Sequence, residues 1–433
     1  MIEHIELTKR FDKISPLSIN DFIDSDGYNV FKEVLKMKQS DILNEITLSK
    51  ITGRGGAGFP VSIKMKSFAR ETGIKYIVCN ADEGEPGNFK DRYLMEKDPH
   101  QIIEGMLISA FSTGATYGYI YIRGEYSNAI SIIKHAVEEA YKNKYLGVNI
   151  LGSDFSFDIE IRRGAGAYIC GEEFSLIESI EGKTGRVRVK PPYPTEQGVY
   201  NKPTLMNNVE TFCNLPFILR IGGKEYSKIG NKFATGTKLI SLTGNVKNTG
   251  VYEVPFGTTI REVIEVLGGG TLENRKIKMV QLGGASGVII PESFLDVEID
   301  NEKIANFDSK IGAGAIIVID ERFDLFDLVL KNMEFFKHES CGKCTPCREG
   351  TVQLYKLLEK IANGTGHLKD LEKLKELSIN VKENSLCGLG MAAPNPILCT
   401  LEIFYDEYVE RINQHHSKRS IDKGLISDAS ITR

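Results

Sequence analysis

Three cysteines within seven residues, Cys341-Gly-Lys-Cys344-Thr-Pro-Cys347, constrain this chain more than any other feature. The C-x2-C-x2-C spacing lets three thiolates converge on one corner-sharing cluster from a single loop. A four-iron cluster takes a fourth thiolate. Cys387, in Ser-Leu-Cys-Gly-Leu-Gly, follows a predicted helix that can return beside the first loop. The fold must then bring 341–347 and 387 together. Structural zinc is the alternative, but zinc prefers paired C-x2-C knuckles or Cys with His, and a run of three thiolates favours iron–sulfur. No second, ferredoxin-type set of cysteines is present, so one cluster is the limit. Cys79, Cys213 and Cys399 stand in apolar runs, where a free thiol packs as a small hydrophobe.

The rest of the chain must support that loop. A length of 433 residues, 41% of them hydrophobic, predicts two to four domains. The net charge of −4 gives no pull towards nucleic acid or an anionic membrane. No apolar stretch reaches the roughly 20 residues needed to span a bilayer, so direct membrane insertion is not expected. The beginning, MIEHIELTKRFDK, has no apolar h-region. With clustered rather than scattered cysteines, that predicts a metal centre in a reducing, cytoplasmic setting rather than disulfides.

Residues 1 to about 50 read as amphipathic helix. KYIVCNA, YGYIYIRGEY and FDIEIRRG read as strands alternating with helices, which predicts βαβ units and a mainly parallel sheet. From about 235 the texture changes to short strands and Gly turns, a small α+β domain ending in the strand GAGAIIVIDE (312–321). From about 325 four segments carry helical periodicity, which predicts a four-helix bundle. The expected division is 1–234, 235–324 and 325–414, with a polar tail at 415–433.

Several loops carry possible chemistry. Gly53-Arg54-Gly55-Gly56-Ala57-Gly58 matches G-x-G-x-x-G, but no strand immediately precedes it, which argues against an ordinary dinucleotide fold. Its glycines still let backbone amides approach a phosphate, and Arg54 and Lys64 add positive charge. Asn80-Ala81-Asp82-Glu83-Gly84-Glu85 follows an apolar strand, at the carboxyl end where open α/β sheets bind ligands. Gly164 to Glu173 repeats the design, with small residues followed by the acids Glu172 and Glu173. Lys190-Pro191-Pro192-Tyr193-Pro194 is rigid and presents an aromatic face. Asn207-Asn208-Val209-Glu210-Thr211 could cap a helix or hold a phosphate. Taken singly, each is equally readable as a plain turn, a solvated acidic loop, a cap or a packing aromatic.

Taken together, GRGGAGFP, NADEGEPGNFKDR, YIYIRGEY, RGAGAYICGEE, KPPYP, NNVET, ESCGKCTPCREG and LCGLG, in that order from residue 53 to 390, resemble the NADH-binding flavoprotein family. That family includes the NADH-oxidising subunit of respiratory complex I and its counterparts in soluble NAD-linked hydrogenases and formate dehydrogenases. The resemblance implies a Rossmann-like FMN domain, a ubiquitin-like β-grasp domain and a helical bundle holding a 4Fe-4S cluster. It implies that Gly53, Arg54, Gly55, Gly56, Lys64, Asn80, Asp82, Gly171, Asn207 and Asn208 hold FMN. It implies that Phe59 and Tyr193 stack on adenine, that Glu85, Glu173 and Lys190 position NADH, and that Cys341, Cys344, Cys347 and Cys387 ligate the cluster. Ala57, Gly58, Glu83, Tyr168 and Glu172 lie in the same motifs and join the cofactor-binding candidates.

The implied activity is hydride transfer from NADH to FMN, then single electrons to the cluster and a partner chain. No acid–base catalyst is expected, since hydride transfer needs orientation above all. Expected partners are a thioredoxin-like subunit with a 2Fe-2S cluster and further iron–sulfur or catalytic subunits. CGLGMAAPNPILCTLEIFYDEY and LGGASG resemble the soluble hydrogenase and electron-bifurcating members, which favours such a complex over a bacterial complex I. A non-catalytic scaffold that only carries the cluster is the reading from another class. Departures from the family are Val61-Ser62-Ile63-Lys64-Met65 after the glycine loop, Phe174-Ser175-Leu176 after the two acids, and Tyr193 in place of Phe. A bulky Phe174 beside Glu173 is expected to reshape the ribose pocket and to loosen the preference for NAD over NADP.

Overall fold

The computed structural model describes residues 4–300, 304 and 311–413. The 415–433 tail lies outside the described residues. The first sheet is built from β1 (Tyr76–Ala81), β2 (Tyr117–Ile122), β3 (Asp158–Arg163) and β4 (Thr204–Asn208), all parallel, in the order β3-β2-β1-β4. Strands covered on both faces read as near-continuous apolar runs, as YIVC and YIYI do. β4 is an addition to the sequence reading, because five residues ending in two asparagines carry no strand signal of their own; pairing with β1 supplies it.

The helices Pro99–Thr113, Ser127–Lys142 and Val209–Ile221 cover one face of this sheet. Helices 99–113 and 209–221 cross at Gly105, where an added Cβ would lie 2.1 Å from the Phe212 carbonyl oxygen. Only glycine permits that approach, which accounts for a glycine inside a helix. The amino-terminal stretch is three short helices, Ile19–Asp24, Asn29–Val34 and Gln39–Ser49, rather than one long one. Asp26 and Tyr28 have φ of 67° and 59°, and this left-handed backbone separates the first two.

The second sheet contains β5 (Thr237–Gly244), β6 (Gly250–Pro255), β7 (Ile277–Leu282), β8 (Val288–Pro291) and β9 (Ala315–Asp320), in the order β6-β5-β9-β7-β8. β5 and β9 are parallel and the other pairs antiparallel. Residues 4–8 reach across to this sheet. The buried Glu253 carboxylate on β6 accepts the backbone N–H groups of Glu6, Leu7 and Thr8 at 2.8, 2.8 and 3.1 Å.

The helices Leu325–Glu339, Thr345–Ala362 and Leu368–Asn384 follow. The fourth expected helix begins three residues earlier than its periodicity, at Asn395–Ile403, and is interrupted at Phe404 before helical structure resumes at 405–413. These helices share one apolar core with the second sheet, from Ile240 and Val280 through Phe326 and Leu354 to Tyr408 and Ile412. A smaller core joins the other face of the first sheet (Val78, Tyr121) to Phe174, Phe336, Cys347 and Leu389, which sets the cysteine loops beside the parallel sheet. Among the described residues no helix is long and apolar enough to cross a membrane.

Candidate functional site

The strand order places a topological switch point between β1 and β4, since the chain leaves β1 for β2 on one side and β4 lies on the other. Ligands of open α/β sheets bind outside the carboxyl ends of strands at such a point. There Asn80 pairs in register with Asn208, and Cys79 with Asn207. Asn80 Nδ2 donates to the Gly171 carbonyl at 2.9 Å, and Asn80 Oδ1 accepts the Asp82 N–H at 3.1 Å. The loops after β1 and β3 are thereby tied across the crevice. Two polar atoms here are buried with no hydrogen-bond partner, Asp82 Oδ2 and Asn207 Nδ2. Burial, offset in part by Arg123, pushes the Asp82 carboxyl up to about 7. Orphaned buried polar groups are costly unless a ligand completes them.

The glycine loop closes the crevice. Gly53 N–H donates to the Phe59 carbonyl at 2.8 Å, a bridge joins Thr52 to Pro60, and the helix Val61–Arg70 begins directly after. A Cβ on Gly55 would come within 3.0 Å of the Asn208 Cβ. Gly56 and Gly58 have φ of 115° and 69°, which glycine tolerates, and Ala57 sits between them at the turn. A Cβ on Gly171 would lie 3.5 Å from the Asp82 carbonyl, so small residues line both sides. The unpartnered Asp82 and Asn207 atoms and this close backbone approach fit a flat polar ring with a phosphate tail, the chemistry of FMN.

Not every candidate side chain reaches the crevice. The Arg54 guanidinium is buried, donating to Thr52, to Tyr226 Oη at 3.1 Å and to the Thr235 carbonyl at 2.6 Å, with Phe256 beneath it at 4.7 Å. It anchors the loop rather than facing a phosphate. The Glu83 carboxylate turns back to accept the N–H groups of Asp91 and Arg92, both at 3.0 Å, at the start of the helix Lys90–Lys97. Glu172 caps the helix Glu173–Ile180 by accepting from Phe174 and Ser175 N–H at 2.9 and 3.0 Å. Asn208 is both a cap, accepting Glu210 N–H at 3.0 Å, and a member of a buried charged set. In that set Lys90 meets Asp91 at 2.6 Å and Glu210 at 3.0 Å, and Lys238 from β5 meets Glu210 at 2.5 Å.

At the outer edge, Glu173 Oε1 meets Lys64 at 3.0 Å and Oε2 meets Lys190 at 3.1 Å; Lys190 also meets Glu172 at 3.0 Å. Burial would raise the Glu173 carboxyl, yet the two lysines hold it below the usual range. Phe174 does not protrude into the pocket. It is 1% exposed, with Arg188 and Lys190 over its ring at 5.3 and 5.5 Å, so it bears on Glu173 only through Lys190. Phe59 and Tyr193, by contrast, are 50% and 53% exposed, each on a loop of this edge. Glu85 and Tyr168 lie deeper and bond to each other at 2.6 Å.

The Tyr168 ring packs edge-on against Phe335 and Phe336, on the helix that leads into Cys341. Cys344 precedes the helix Thr345–Ala362, Cys347 lies in its first turn, and Cys387 precedes the helix Gly388–Ala392. Helix amino termini favour thiolate. Burial raises Cys347 to about 11, with the three other thiols close enough to contribute, and Ser340 Oγ lies 3.2 Å from its sulfur. Cys387 takes backbone N–H bonds from Leu389 and Gly390. Among the described residues no three ligand-type side chains close around a single ion; a multi-iron cluster seats its thiolates on separate irons and needs a wider ring. Cys79, Cys213 and Cys399 are buried, and all eight cysteines are free. Sequence reading missed Lys90, Lys238 and Ser286, whose partners lie far along the chain.

Residues 46–217 match the Nuo51 FMN-binding domain, 239–290 the SLBB domain, and 327–411 the NADH-ubiquinone oxidoreductase-F iron–sulfur binding region. Fold and site thus define a class, the NADH-oxidising subunits that carry FMN and a 4Fe-4S cluster. The NADH-quinone oxidoreductase F subunit of Aquifex aeolicus is 46% identical over 402 residues, 93% of this chain and 93% of that one. The NADP-reducing hydrogenase subunit HndC of Solidesulfovibrio fructosivorans is 44% identical over 421 residues, 97% of this chain and 86% of that one. The crystal structure of an NAD+-reducing nickel–iron hydrogenase in its H2-reduced state aligns with a TM-score of 0.83 at 34% identity, over 95% of this chain and 67% of that one. The chain belongs to the family of the NADH-quinone oxidoreductase F subunit, and it is an NADH oxidoreductase component of a multi-subunit redox complex.

Proposed function

We propose that the switch-point crevice holds FMN through Gly53–Gly58, Lys64, Asn80, Asp82, Gly171, Asn207 and Asn208, and that NADH binds over it. When bound, FMN would supply a hydride acceptor for the nicotinamide, and the cluster a one-electron acceptor. The chain's own task is to orient and to exclude water. Phe59 and Tyr193 offer exposed rings for the adenine, Glu85 holds the nicotinamide end, and Glu173 with Lys190 holds the ribose. Cys341, Cys344, Cys347 and Cys387 ligate the cluster. The observation that carries this reading is the pair of buried, unpartnered atoms, Asp82 Oδ2 and Asn207 Nδ2, at the carboxyl ends of β1 and β4.

The test is the absorbance spectrum of the purified protein together with NADH-driven ferricyanide reduction. Asp82→Ala combined with Asn207→Ala should lose flavin and activity while keeping iron. A wild-type protein whose spectrum shows the broad iron–sulfur absorbance but no flavin, and which lacks NADH–ferricyanide activity, would instead favour a cluster-carrying scaffold.

The parent complex we infer is a cytoplasmic NAD-linked hydrogenase of the bifurcating type, with a thioredoxin-like 2Fe-2S subunit as immediate partner; bacterial complex I is the competing assignment. Subunits that co-purify with the chain decide between them. We also propose three units: 1–234, a β-grasp unit at 235–324 and a helical bundle at 325–414. The attachment of residues 4–8 to Glu253 ties the first unit to the second.

A further inference from the structure

The turn between β7 and β8 belongs to the second sheet, yet it reaches into the first domain's crevice. Ser286 N–H donates to Glu85 Oε1 at 3.0 Å, and Ser286 Oγ lies 3.0 Å from Glu85 Oε2. Tyr168 Oη donates to the same Oε2 at 2.6 Å. The serine hydroxyl has one proton and a second acceptor, the Gly283 carbonyl at 3.2 Å. The carboxylate is the nearer and the charged acceptor, so it takes the proton.

The neighbouring glycine points the same way independently. Gly284 has φ of 73°, and a Cβ there would lie 2.4 Å from Glu85 Cγ, 2.6 Å from Oε1 and 2.8 Å from the Pro86 carbonyl. The turn approaches Glu85 as closely as a backbone can. It is braced from behind: Gln281 Nε2 donates to the Gly284 carbonyl at 2.8 Å, and Asn395 Nδ2, on the helix Asn395–Ile403, donates to the Ser286 carbonyl at 3.0 Å.

We propose that Ser286 is a positioning residue for NADH binding, through which the second sheet fixes the Glu85 carboxylate that holds the nicotinamide end. This rests on the assignment of Glu85 to NADH made above. Without the Ser286 hydroxyl, Oε2 would keep Tyr168 alone, while the backbone N–H groups of Ser286 and Ala285 would still bond the carboxylate. With Ser286 bonding both oxygens, the rotation of the carboxylate is fixed from the side of the second sheet. An oriented carboxylate binds an amide N–H more tightly than one that must be ordered on binding.

The experiment uses the complete cofactor-loaded chain and reads NAD+ affinity by calorimetry beside steady-state NADH–ferricyanide kinetics. Ser286→Ala should weaken NAD+ binding and raise KM about tenfold, the scale of one hydrogen bond to a charged group, with kcat changed far less. Ser286→Thr, which keeps the hydroxyl, should restore most of the loss. In a Glu85→Gln background, Ser286→Ala should add little. Flavin content and the cluster's EPR signal serve as folding controls. Unchanged NAD+ affinity in Ser286→Ala, with Glu85→Gln impaired, overturns the role of Ser286 alone. An equal loss from Ser286→Ala in the Glu85→Gln background marks it as merely structural and also overturns the proposal. Unchanged affinity in Glu85→Gln overturns both the proposal and the assignment beneath it.

Discussion

Glu173 illustrates how far a single side chain's role depends on its neighbours. Both of its oxygens are engaged by lysines, Lys64 and Lys190, in ion pairs that are half-buried. Removing the carboxylate leaves two cations where a ribose would sit. Glu173→Ala should therefore raise NADPH use relative to NADH by about tenfold or more, because a 2′-phosphate gains two charge-assisted partners and loses a repulsive one. Steady-state specificity ratios for the two dinucleotides check this; an unchanged ratio removes Glu173 from the discrimination. The sequence reading has Phe174 crowding the pocket. With its ring buried beneath Arg188 and Lys190, it instead sets the height of the lysine that pairs with Glu173. Residue type alone could not show this, because the rotamer that buries the ring is decided by the core around Ile177 and Val187.

At the scale of elements, the cysteine loops depend on two helix starts lying side by side. Gly390 stands where they touch: an added Cβ would lie 2.4 Å from Ser385 Oγ and 3.0 Å from the Cys347 Cβ. Gly390→Ala should lower iron content while flavin content holds, measured by iron assay and absorbance on the same sample. Cys387→Ser should weaken or convert the cluster, and an intact four-iron EPR signal would show that another residue is the ligand. The elements themselves were legible where one local signal sufficed. Continuous apolar runs marked β1 and β2, FDIEIRRG read as the third strand of the alternation, and helical periodicity marked 325–339, 345–362 and 368–384. β4 was not, because its five residues are a strand only by virtue of β1 beside them. In the candidate site, the loops could be read but their orientations could not. Ser286 and Glu85 are 201 residues apart, and no local pattern in either segment announces the other. Arg54 and Glu83 sit in the expected loops, yet turn their charged ends to Thr235 and to the helix Lys90–Lys97.

On the scale of the molecule, buried charge sets both cohesion and pH response. Glu210 faces Lys90 from the first domain and Lys238 from the second sheet, with no exposure of any of the three side chains above 2%. Glu210→Ala leaves Lys90 paired with Asp91 but takes from Lys238 the carboxylate that faces it, and should cost about 3–5 kcal/mol, read by urea denaturation of the flavin-free protein. Asp82 and Glu104 are both raised to about 7, by burial first. Each keeps its proton in the folded chain at a pH where the unfolded chain has lost it. Their contribution is complete below the ordinary carboxyl range, about pH 4, and is lost as pH rises through 7. The melting temperature of the flavin-free protein should fall between pH 5 and 8, and Glu104→Gln should reduce that slope. A slope that Glu104→Gln leaves unchanged would mean that Glu104 is ionised in the fold.

The apolar core shared by the second sheet and the iron-binding helices closes only with Tyr408 and Ile412. During synthesis, all four strands of the parallel sheet have left the ribosome by residue 226, but one of its faces still waits for Phe336, Cys347 and Leu389, and the glycine loop for Thr235. The cysteine loop emerges without its core and must wait, thiols reduced, for the last helical turns. Iron loading is thereby deferred until Tyr408 and Ile412 are made, and a ribosome stalled before residue 408 leaves that core open.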